Sequence, residues 1–180
     1  MTLFVREPRW SNAKLQVPRR WKTWLLDQGS LTARLQQLSG GQFSVHRLSQ
    51  AWGRPTLSER RALGLDHHQL ALVREVLLYG GDQPWVYARS ILPAATLTGP
   101  LRSLRQLDEK PLGALLFSNP TMCRGDIEVA KVPVAYLPPS AHGVVESLQE
   151  TDALWGRRSV FFLYDKPLLV SETFLPEFPG

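Results

Sequence analysis

The chain has a single cysteine, Cys123, in 180 residues. One thiol cannot form an internal disulfide or a thiolate metal cluster, and this usage fits a reducing compartment. No apolar run approaches the ~20 residues that cross a bilayer, and the opening MTLFVREPRW lacks the apolar core of a secretory signal. The expectation is a cytoplasmic protein with no integral membrane segment. A phosphate-cradling loop is also missing: LSGGQF and YGGDQ have neither the strand-to-helix context nor the Lys-Ser/Thr ending. His46, His67, His68 and His142 never fall at ligand spacing, so no metal site is expected. Adjacent His67 and His68 read as solvated, Cys123 reads as a passive thiol despite its neighbour Arg124, and no nucleophile-elbow pattern occurs. A lysine-rich tail and a nucleic-acid-binding motif are absent too, so no nucleic-acid partner is expected.

What is present is an ordinary globular composition, 43% hydrophobic and 21% charged, at a length that normally means one domain, here residues 1–180. Lysine and arginine total 21 against 16 acidic residues, a formal charge of +5 that favours anionic partners without choosing among them.

Helical spacing opens the chain. Trp21, Trp24 and Leu25 fall on one face of a short helix, and a second helix follows Ser30 as N-cap, with Leu31, Leu35 and Leu38 on one side and a stop at Gly40-Gly41. FSVHRLSQAW reads as a weak strand and GRPTLSERRALGLDHHQ as a polar connection. In LALVREVLLYGGDQPWVYARSILP two β-rich runs flank GGDQ, which predicts a hairpin. TLTGPLRSLRQLDEKPLGALLF returns to helical spacing through Leu101, Leu104 and Leu107, with a break at Lys110-Pro111. DIEVAKVPVAYL is a strand candidate, PPSAHGVVESLQETD a loop or short helix, and LWGRRSVFFLYDKPLLVSETFLP a second hairpin turning at YDKP. Hairpins with helices before and between them predict an α+β fold, an antiparallel β-sheet with helices packed on it.

Two charges break the apolar pattern. Strand side chains alternate between faces, so Glu172 shares a face with Leu168, Val170 and Phe174, and Arg74 shares one with Leu72, Val76 and Leu78. Charges in such company are paired, at a rim, or in use. Three readings stand level: a structural ion pair between the two, two unrelated rim residues, or a ligand pocket in which Arg74 binds an anion and Glu172 a second polar group. Arg157 and Arg158, on successive strand positions, face opposite ways, so at most one of them joins such a pocket.

Taken in order, WLLDQGSLTARL, VREVLLYGGDQPWVYARSILP, TLTGPLRSLRQLDEKPLGALLF, LWGRRS and KPLLVSETFLP resemble chorismate pyruvate-lyases. These enzymes eliminate pyruvate from chorismate to give 4-hydroxybenzoate for ubiquinone biosynthesis. The resemblance implies an antiparallel sheet that encloses the ligand with its helices and a small-molecule substrate with no cofactor; the expectation for assembly is a monomer. It places Arg74 on the ring carboxylate, Glu172 near the ring hydroxyl, and Leu112 of the PLG turn in the pocket wall. Leu31 stands where well-known members carry methionine. The stretch 131–151 is longer than in compact members and is expected to be a surface excursion or an extra lid. The alternative is a non-catalytic relative, since a similar fold senses small effectors in bacterial transcription regulators; a nucleic-acid-binding module is a third reading.

Overall fold

A computed structural model of the chain describes residues 6–12, 16–145, 148 and 153–180. Seven strands form one antiparallel sheet: β1 (Phe43–Gly53), β2 (Ala71–Gly80), β3 (Gln83–Pro93), β4 (Cys123–Arg124), β5 (Glu128–Pro133), β6 (Ala153–Leu163) and β7 (Lys166–Phe174). Their order is β1-β2-β3-β7-β6-β4, and β5 also pairs with β6, which is thereby shared along one edge between β4 and β5. Among the described residues five α-helices accompany them: α1 (Arg19–Leu25), α2 (Leu31–Leu38), α3 (Leu57–Leu63), α4 (Leu112–Ser118) and α5 (Pro139–His142). None of the described helices is long and apolar enough to cross a membrane.

Both predicted hairpins form. The first turns at Gly81-Asp82, where Gly81 has φ 60°. The second turns at Tyr164-Asp165, both at positive φ (48° and 60°), the twist that joins antiparallel strands through two residues. This turn fixes the register, pairing Leu163 with Lys166 and, six residues further up each strand, Arg157 with Glu172.

The sheet has two differently furnished faces. On one, Val76, Leu78, Val86, Ala88 and Phe174 pack with Leu25, Leu31 and Leu35 of α1 and α2, while Leu72, Leu92, Phe161 and Leu168 pack with Leu112 and Leu116 of α4. Ser30 caps α2 by accepting from the Ala33 amide, and Leu31 and Leu35 are buried; Leu38, expected on the same stripe, is exposed. The leucines at 101, 104 and 107 are all buried, but 99–106 is a 3₁₀ turn, whose period of three matches their spacing.

The other face carries two segments that the sequence reading placed wrongly. The connection at 53–69 contains α3, held by a reciprocal capping box between Thr56 and Glu59 and ended by Gly64 in the left-handed region. Leu63 packs on Ile91 and Leu169. The described part of 131–151 is neither surface excursion nor lid: Val134, Leu137, Ala141 and Val145 are buried, the last three packed with Leu77, Tyr87 and Leu175 on the face away from Arg74. Positions 146–147 and 149–151 lie outside the described residues.

Candidate active site

Between the sheet and the helices α2 and α4 lies a partly open cavity whose empty space, counting the part open to solvent, is about 530 Å³. Its floor is sheet, including Val76, Ala88, Ser90 and Val170; its walls are Leu31 and Thr32 of α2 and Leu112, Gly113 and Leu116 of α4. Gly113 is needed for this closure, because a Cβ there would come within 2.6 Å of the Thr32 hydroxyl. All four residues singled out in the sequence, Leu31, Arg74, Leu112 and Glu172, line this one cavity. Four charged groups do so: Arg74, Arg124, Arg157 and Glu172.

Arg74 is 2% exposed. Its Nη2 donates to the carbonyls of Asp108 and Lys110, each at 2.9 Å, while its Nε is buried with no acceptor. Burial, with the nearby charge of Arg47 and against that of Asp108, lowers its pKa to about 10. The other face offers the contrast. There Arg89 is bridged to Glu59 (2.7 Å) and Glu75 (3.0 Å), and these partners outweigh desolvation and raise its pKa. A buried guanidinium without a carboxylate is uncommon, since the desolvation it suffers has no compensating charge. Arg74 therefore has the surroundings of an anion holder.

Glu172 sits two strands away, on β7. Arg157, across from it on β6, donates through Nε to Glu172 Oε2 at 2.6 Å. The same guanidinium donates through Nη1 to the carbonyls of Trp24 (2.8 Å) and Asp27 (2.9 Å), tying the turn after α1 to the sheet. Glu172 Oε1 has no hydrogen bond among the described residues. Arg74 pairs with Ser90, and Ser90 with Val170, so Arg74 and Glu172 are offset by two strands and two residues. At ~4.8 Å per strand and ~3.4 Å per residue, their Cα atoms stand roughly 12 Å apart across the floor. They do not bond each other; the ion pair that forms is Arg157–Glu172.

Sequence reasoning left Arg157 as one of two options and did not find Arg124. Arg158, on the opposite face, pairs with Glu128. A signal for Arg157 was present, since a two-residue turn at Tyr164-Asp165 places it opposite Glu172 by counting. Arg124 had none, because β4 is two residues long and follows irregular chain. Of the histidines, His67 and His68 are exposed, as is Cys123. Among the described residues no three His, Cys, Asp or Glu side chains converge as a metal site would require.

The sequence of residues 6–178 matches the family model for chorismate lyase. The chain belongs to the chorismate lyase family. Its relatives include a protein of Azoarcus sp. (strain BH72) named a probable chorismate pyruvate-lyase, 43% identical over 90% of this chain and 87% of its own length. Another of that name, from Pseudomonas aeruginosa (strain UCBPP-PA14), is 42% identical over 85% of this chain and 82% of its own. Among solved structures, the effector domain of PhnF from Mycobacterium smegmatis superposes with a TM-score of 0.57 at 16% identity, over 84% of this chain and 91% of that one. The C-terminal domain of the histidine utilization repressor from Pseudomonas syringae pv. tomato gives 0.56 at 10% identity, over 75% of this chain and 92% of that one. At such identities the likeness is of fold. The lyase family thus shares its α+β architecture with the effector domains of regulators, and the sequence places this chain with the lyases.

Proposed function

We propose that the protein is a chorismate pyruvate-lyase of the cytoplasm, acting as a monomer and supplying 4-hydroxybenzoate for ubiquinone formation. The observation that carries this reading is the pairing, in one cavity between sheet and helices, of a buried guanidinium lacking a bonded carboxylate with a carboxylate whose Oε1 is unbonded among the described residues. Chorismate offers a carboxylate on C1 of its ring, a hydroxyl on C4 and an enolpyruvyl ether on C3. Arg74 anchors the ring carboxylate with its fork of donors, a role lysine cannot fill with the same geometry. Glu172, fixed by Arg157 through Oε2, accepts from the C4 hydroxyl with Oε1.

In the elimination the hydrogen on C4 leaves as a proton and its electron pair completes the aromatic ring while the C3–O bond breaks. The oxygen keeps that bond's pair, and protonation of the methylene carbon of enolpyruvate gives pyruvate. Aromatisation makes the step strongly downhill. The protein's task is to hold the reactive conformer and to stabilise the charge growing on the departing oxygen. Leu31, Leu112 and the sheet floor exclude water around the ring, which strengthens both polar contacts. The effector-domain reading predicts saturable binding with no reaction.

Incubating the pure protein with chorismate and following 4-hydroxybenzoate by absorbance and pyruvate by a coupled assay tests the reading. Stoichiometric formation of both is expected, and Glu172→Gln is expected to lower kcat by ~10²-fold or more if the carboxylate moves the proton. A loss under ~10-fold would leave Glu172 an orienting group alone. Binding of chorismate without turnover would overturn the lyase reading.

A further inference from the structure

The cavity carries more positive charge than a ring carboxylate needs. Three guanidiniums, Arg74, Arg124 and Arg157, face one carboxylate, Glu172, which leaves a formal excess of two positive charges. The nearby acids do not remove it: Asp27 is bridged to Arg34 at 3.2 Å and Asp108 to Arg47 at 2.9 Å. A cavity with that excess matches a ligand with two negative charges, so the second has its own holder. Arg157 is already committed, with Nε on Glu172 and Nη1 on two carbonyls.

Arg124 is not. Its Nε donates to the Ser159 hydroxyl at 3.1 Å, and its Nη1 makes two long bonds, to the carbonyls of Asp27 (3.2 Å) and Gly29 (3.4 Å). Its Nη2, like that of Arg157, has no acceptor among the described residues. No carboxylate bonds it, and burial together with the neighbouring charge of Arg157 lowers its pKa to about 10, against the pull of Glu172 and Asp27.

The register places it. Arg74, Ser90, Val170 and Ser159 form one row across β2, β3, β7 and β6, so the hydroxyl that holds Arg124 stands at the far end of the row that Arg74 begins. Glu172 lies one step along β7 on the same face. The three groups thus form a triangle on the floor. A ring that carries a carboxylate, a hydroxyl para to it and an ether-linked carboxylate beside that hydroxyl presents the same three polar ends.

Resting on the lyase reading above, we propose that Arg124 is a substrate-binding residue that takes the second carboxylate, on the enolpyruvyl arm, and so makes the site selective for an aryl or cyclohexadienyl dianion. Held there, the guanidinium also lies beside the ether oxygen on which charge develops, so it acts on the leaving group as well as on binding. Arg74 and Glu172 then recognise what substrate and aromatic product share, and Arg124 recognises what the product has lost.

Two non-reactive ligands test this: 4-hydroxybenzoate, and 3-(carboxymethoxy)-4-hydroxybenzoate, which adds an ether-linked carboxylate at the substrate's position. Titration calorimetry on wild type and Arg124→Gln is expected to show the dianion weakened by about tenfold or more, the scale of a charge-assisted hydrogen bond. The affinity for 4-hydroxybenzoate is expected to stay within about twofold. Arg124→Lys, which keeps the charge and the fold, is expected to fall between wild type and Arg124→Gln for the dianion alone, and it serves should Arg124→Gln not fold.

A merely structural Arg124, bracing the 27–29 turn, would weaken both ligands equally. Equal loss, no loss, or a wild type that does not bind the dianion overturns the proposal. These outcomes are independent of turnover: a wild type that converts chorismate while Arg124→Gln loses both ligands equally leaves the lyase reading standing and removes this one. A wild type that leaves chorismate unchanged, while Arg124→Gln loses the dianion and keeps 4-hydroxybenzoate, removes the lyase reading and leaves Arg124 as the holder of the second carboxylate.

Discussion

Replacing Arg74 by methionine is expected to make the ligand-free protein more stable while abolishing its ability to hold an anion. The guanidinium is buried, and its pKa is lowered to about 10. At ~1.4 kcal/mol for each pH unit by which a pKa moves, that depression corresponds to roughly 3 kcal/mol of net unfavourable electrostatics, desolvation first and the repulsion of Arg47 second, less the attraction of Asp108. Methionine fills a similar volume, carries no charge and adapts to the cavity wall. Against the gain stand the two bonds from Nη2 to the Asp108 and Lys110 carbonyls. Each contributes about 1 kcal/mol net, so a stabilisation of about 1 kcal/mol remains. For a chain of this length that is a rise in Tm of about 2–4 °C.

Thermal unfolding followed by circular dichroism reads both halves of the claim. Wild type is expected to gain Tm on addition of excess 4-hydroxybenzoate, by mass action on the folded state, and Arg74→Met is expected not to. Were Arg74→Met to lower the Tm of the ligand-free protein by more than about 5 °C, Arg74 would be a structural brace for the loop before Pro111 and the reasoning would be refuted.

Two further outcomes follow from the opposite face. Burial pushes the Glu75 carboxyl up, but hydrogen bonds from Tyr87 and Ser49 and the charge of Arg89 outweigh it and hold the group below its usual value. A carboxyl lowered on folding contributes stability that is complete above its unfolded pKa and is lost as pH falls through the folded one, so denaturant midpoints are expected to fall below about pH 4.5. Glu75→Gln is expected to flatten that fall, and an unchanged profile would show that Glu75 does not drive it. Thr56→Ala removes one half of the α3 capping box and is expected to cost about 1 kcal/mol in urea unfolding without changing 4-hydroxybenzoate affinity. A coupled loss of affinity would show that α3 communicates with the cavity across the sheet.

Much of this architecture was legible because its signals are local. GGDQ and YDKP announce their turns, and strand parity alone marked Arg74 and Glu172 as misfits on apolar faces. The capping pattern of Thr56 and Glu59 was equally local, yet the density of charges in SERRAL masked a helix whose buried residues are few, Glu59 and Leu63 among them. What parity cannot give is partnership. Whether Glu172 pairs with Arg74 or with Arg157 depends on strand order, and β7 lies between β3 and β6, beside Arg157 and two strands from Arg74. Arg124 reaches the site from a two-residue strand, where no periodicity exists to be read. The 131–145 stretch misled because its buried residues are spread over irregular backbone and a short helix.

The carbonyls of Asp27 and Gly29 give the turn between α1 and α2 an additional meaning. They are gripped by Arg157 and Arg124, the guanidiniums whose charge also faces the cavity. Any opening of that turn loosens cationic groups that an anion inside would want held, so occupancy and closure are thermodynamically linked, each strengthening the other by the same factor. An anion inside lengthens its own residence, and a departing product must break bonds that its presence reinforced. Under the proposed lyase reading, release is expected to be the slow step, and a substitution that speeds it by weakening Arg157 is expected also to weaken the capture of the next substrate.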